Sequence, residues 1–145
     1  MSKVTFYRQK RFDGGIRTGI DIDGDRALHH YEPGKGDENP ALQWYVDLRI
    51  SGDLPDAPDE LRAWLLGHAS KICNALNDLS RKHIGTDEDL VPFQAELPTI
   101  QKGVKIVVVW SAVRRVNNLE FTEVLRQLAV HFVEYVNELE LVTVQ

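Results

Sequence analysis

Four acids fall within twelve residues of this chain, at Asp21, Asp23, Asp25 and Glu32. Oxygen donors at that spacing could hold a hard cation such as calcium. The same residues have a second use. Ile16, Thr18, Ile20 and Ile22 alternate with Arg17, Gly19, Asp21 and Asp23, which is the period of a strand with one buried face. Asp23-Gly24 is a strong hairpin turn signal, and Ala27 to Tyr31 supplies the return strand. In that reading the aspartates alternate with isoleucines because they face water.

The segment Asp21-Ile22-Asp23-Gly24-Asp25-Arg26-Ala27-Leu28-His29-His30-Tyr31-Glu32 resembles an EF-hand calcium loop. The resemblance places Asp21, Asp23 and Asp25 at ligand positions one, three and five, and Glu32 at the bidentate position twelve. Position six, which a sharp turn requires to be glycine, is Arg26, and the preceding flank reads as strand rather than helix. The hairpin is therefore the favoured reading, and no metal or other cofactor is expected.

Other chemistry is sparse. His29 and His30 are strand neighbours, so they point to opposite faces and cannot easily share a metal. His68 and Cys73 lie five apart on a helix, and no Cys/His spacing matches a zinc site. His131 is assigned to the polar side of the second helix. The chain has no G-x-S-x-G, phosphate loop or G-x-G-x-x-G. An enzyme is disfavoured, although a site assembled from distant residues leaves no local motif. Arg114 and Arg115, just after a long strand, are candidates for binding an anion or a carboxylate.

The most informative feature is one face of a sheet. Leu42, Trp44, Val46, Leu48 and Ile50 alternate with Gln43, Tyr45, Asp47 and Arg49. If helices cover the Trp44–Val46–Leu48 side, the outer side shows Tyr45, Asp47 and Arg49. Arg17 joins it, with Val107 and Val109 from the strand that spans 104–113. Tyr and Arg beside aliphatic groups suit a protein interface. These six residues are the candidate partner-binding surface, for another protein or a second copy of the chain. The alternative is a small-molecule or anion-binding domain, possessing at most weak enzymatic activity. Arg17, Arg49, Arg114 and Arg115 would supply its charge, and Tyr45 and Trp110 its walls.

The elements that position these groups follow from periodicity. Val4 to Tyr7 is a first strand, read as an edge protected by Lys3, Arg8, Lys10 and Arg11. Pro58, Asp59 and Glu60 open a helix whose apolar positions run from Leu61 to Leu79. Pro92 makes the 91–97 segment an edge strand. Asn117 and Glu120 outline a capping box for a second helix carrying Phe121 to Leu139. The order is β-β-β-β-α-β-β-α. It predicts an α+β fold with an antiparallel sheet of five to six strands and two amphipathic helices packed on one face.

Composition bounds the rest. The chain has 145 residues, 17 basic and 22 acidic, a net charge of −5, and 43% hydrophobic residues. One domain over 1–145 is expected. Residues 53–100 hold 4 bases and 9 acids, so the net acidity sits there. Phe6 and Tyr7 among basic residues could form a stacking surface, but the acidic balance argues against nucleic acid. With one cysteine, no signal-like start and no long apolar run, a cytoplasmic protein outside the membrane is expected.

Overall fold

Alternating apolar residues build one sheet, and two helical stripes cover one side of it. A computed structural model describes residues 2–11, 14–34, 43–83, 93–112 and 118–139. The elements are β1 (Ser2–Lys10), β2 (Ile16–Ile22), β3 (Asp25–Glu32), β4 (Trp44–Gly52), α1 (Pro58–His83), β5 (Phe93–Glu96), β6 (Val104–Ala112) and α2 (Asn118–Glu138). The six strands pair antiparallel in the order β3-β2-β1-β4-β6-β5. The α+β architecture expected from the sequence is the one observed. No helix among the described residues is long and apolar enough to cross a membrane.

Val4, Phe6, Ile20, Val46, Leu48, Ile50, Ile106, Val108 and Trp110 point to the helix side and are buried. They meet Leu61, Leu65, Ile72 and Leu76 of α1 and Phe121, Leu125, Leu128 and Phe132 of α2 in one core. Trp110 packs edge-on to Phe121 and stacks on Trp44. The helices lie against each other with extensive contact: Arg62 donates to the Asn137 carbonyl and Ser80 to that of Thr122. This pairing of early α1 with late α2 makes them antiparallel.

The β2–β3 turn forms as its sequence predicts. Asp23 and Gly24 take φ of 52° and 88°, the left-handed values a type I′ turn requires. β5 is an edge strand, as expected. β1 is not: it lies third in the sheet, paired with both β2 and β4. Its basic residues therefore do not guard an edge. Arg8 shares the phase of Val4 and Phe6 and is buried with them, at 6% exposure. Asn117 and residues 140–145 lie outside the described residues.

Candidate functional site

The strand register decides which side chains share the outer face. Tyr7 of β1 pairs with Gly19 and Asp47, Asp47 with Val109, and Val109 with Gln94. The next level reads Arg26, Asp21, Thr5, Arg49, Val107 and Glu96. On the other side of the Tyr7 level run Tyr31, Arg17, Gln9, Tyr45 and Ser111. Arg17, Tyr45, Asp47, Arg49, Val107 and Val109 thus lie on one face, opposite the helices. No helix or strand among the described residues covers that face.

Tyr45 keeps 37% of its surface in contact with solvent, and Tyr31 is also exposed. Arg49 donates a hydrogen bond of 3.0 Å to Asp47. Packing among neighbours buries most of the Asp47 carboxylate and raises its pKa, an effect the Arg49 hydrogen bond partly offsets. Burial likewise raises the pKa of Tyr7, with Asp21 adding to it. The Tyr7 ring lies across Gly19: a methyl group there would meet the Tyr7 hydroxyl at 2.4 Å and the Leu28 carbonyl oxygen at 2.6 Å. Among the described residues the face carries five bases, Lys3, Arg17, Arg26, Arg49 and Lys105. With Asp23 at the hairpin tip, it carries four acids, the others being Asp21, Asp47 and Glu96. Lys105 and Glu96 approach within 3.7 Å.

Tyr7 belongs to this face, and reading the N-terminal segment as one basic aromatic patch hides that. Strand parity separates Tyr7 on the outside from Phe6, which is fully buried, so the two cannot form a common stacking surface. Trp110 is also fully buried on the core side, so it cannot wall a site with Tyr45. Arg114 and Arg115 lie outside the described residues.

The four acids of the hairpin are not brought together. Asp25 pairs with Ile22, whereas Glu32 pairs with Ile16 at the other end of β2. Six residues of strand, roughly 20 Å at about 3.4 Å per residue, separate them. Asp23 instead caps the turn, accepting a 2.8 Å hydrogen bond from the Lys3 amide. No group of three His, Cys, Asp or Glu side chains among the described residues could hold a metal ion.

A second polar cluster lies under α2, and the sequence reading missed it. The Arg8 guanidinium donates to the Thr18 hydroxyl at 3.2 Å, and Thr18 shares a hydrogen bond with the Tyr135 phenol. The His30 and His131 rings flank Tyr135, with centroids 4.9 and 5.5 Å away. His131 is turned inward, not into solvent as its helical position suggests; its side chain is 20% exposed. Burial lowers its pKa, with Arg8 adding to the effect. Arg8 Nε and His131 Nδ1 are buried with no hydrogen-bond partner among the described residues. The signal was strand parity at Arg8, in phase with Val4 and Phe6.

Two clefts formed by described residues lie away from the outer face. One, of about 430 Å³, is bordered by Lys71, Asn74, Asp78 and Thr99. The other, of about 340 Å³, is bordered by Asn77, Ser80, Arg81 and Arg126. Both arginines there already have acids beside them, Asp78 and Glu123. Comparison of the chain with protein-family models, with curated proteins and with solved structures finds no match, so its residues alone must carry a functional reading.

Proposed function

We propose that this chain is a non-enzymatic interaction or assembly module that docks through the outer face of its sheet, acting in the cytoplasm. One observation carries the reading. Both helices pack on one side of a six-stranded sheet, and Tyr45, Arg49, Val107 and Val109 share the other side, which no described element covers. Aromatic, arginine and aliphatic groups in that mixture are what protein interfaces use as anchors. A single cysteine fits a reducing compartment. The small-molecule alternative loses support, because Trp110 is in the core and the two clefts formed by described residues lie elsewhere.

The test is photo-crosslinking in the native cell, from a photoreactive side chain at Val109 and, separately, at exposed Glu123 on α2. The expected result is protein adducts from position 109 and none from position 123. Adducts from the helix position alone, or none from 109, would overturn the reading.

A further inference from the structure

We propose that the occupant of the outer face is a second copy of this chain, docked face to face about a two-fold axis that runs along the strands between β1 and β4. The inference rests on the outer face being a docking surface, and deepens it by naming what docks. The described residues of the face are nearly charge-balanced, with five bases and four acids, although the chain carries −5. That balance is unsuited to nucleic acid and suited to a self-complementary surface.

The register gives the pairing. Six strands place β1 and β4 in the middle, so the axis lays β3 over β5 and β2 over β6 while keeping each level in step. Arg26 of one copy then faces Glu96 of the other. Asp23, beside Lys3, faces Lys105, because Lys3, Ser51 and Lys105 share a level. Val109 lies over the Tyr7 ring where it crosses Gly19, an apolar contact. Tyr7 faces Asp47, and Arg17 faces Ser111. Among the described residues, no charged side chain meets a like charge. A two-fold axis across the strands at the Tyr7 level would instead set Asp47 against Asp47. At about 4.8 Å between strands and 3.4 Å per residue, the face measures roughly 30 by 25 Å, on the order of the ~800 Å² per partner of a stable interface.

The test is sedimentation equilibrium of the full chain and of Arg26→Glu, Glu96→Arg, the double variant R26E/E96R, and Val109→Asp. These positions are exposed or half-buried on the outer face, and urea midpoints check that each variant folds. The wild type should dimerise. Each single reversal creates two like-charge contacts per dimer and should weaken it about tenfold or more. The double variant, and a mixture of the two singles, should recover the dimer, and Val109→Asp should abolish it. A monomer at about 100 μM overturns the proposal. So does a dimer indifferent to both reversals, which would mean another axis or another face. A monomer that still gives adducts to a different protein from position 109 overturns the second-copy proposal and leaves the docking surface standing.

Discussion

Replacing Arg8 with methionine should stabilise this protein. Arg8 is 6% exposed and lies between β2 and α2. Among the described residues its guanidinium bonds a neutral hydroxyl, Thr18, and its Nε has no partner. Burial lowers its pKa, and Tyr135, Glu32 and Glu134 oppose that only in part. Removing an imperfectly compensated ion from water costs several kcal/mol, about as an order of magnitude. The hydrogen bond to Thr18 returns roughly 1.5–3 kcal/mol. Methionine keeps most of the apolar stem, so Arg8→Met should gain about 1–3 kcal/mol. Arg8→Ala also removes the stem, at about 0.8 kcal/mol per methylene, and should fall about 2 kcal/mol below the methionine variant. Urea unfolding followed by fluorescence of Trp44, Trp64 and Trp110 gives both values, provided the slope with denaturant is unchanged. A loss of more than about 1 kcal/mol in Arg8→Met would refute the reasoning. It would mean that Glu32 and Glu134 compensate the buried guanidinium in full.

Two further outcomes are expected. Gly24→Ala should cost about 1–2 kcal/mol, because the turn holds φ at 88° with open space around the added methyl, so backbone strain alone sets the cost. A urea midpoint equal to wild type would contradict it. Stability should also fall on acidification. The pKa of His131 is lower in the folded protein than in the unfolded chain, where it is about 6.5. The unfolded chain therefore binds the proton first. His131's contribution is complete above that pH and is lost as pH drops through it toward the folded value. Unfolding titrations between pH 8 and pH 5, a window set by about 6.5 for free histidine, should show this slope. His131→Asn should flatten it, and an unchanged slope in that variant would remove His131 as the cause.

Periodicity was enough to read the elements. Alternation at Ile16 to Ile22 and Trp44 to Ile50, the Asp23-Gly24 turn, and the helical spacing from Leu61 and from Phe121 each report a local rule. So does the sorting of Tyr45, Asp47 and Arg49 onto one side of β4, because side chains alternate along any strand. Which strands lie beside β1 is not local. The same charged, β-branched segment could serve as an edge, and only pairing with a distant strand, from Lys10 with Trp44 to Ser2 with Gly52, makes it internal. That placement puts Tyr7 at the centre of the outer face and Arg8 under α2. The separation of Glu32 from Asp25 is local, since the Asp23-Gly24 hairpin sets the two ends of a strand apart where a calcium loop would curl them together. The sequence by itself therefore determined the elements and the face each strand residue takes, because backbone geometry dictates both. Only the tertiary structure decided which faces are joined into one surface and which charges are buried, because strand order and helix docking depend on contacts between distant segments.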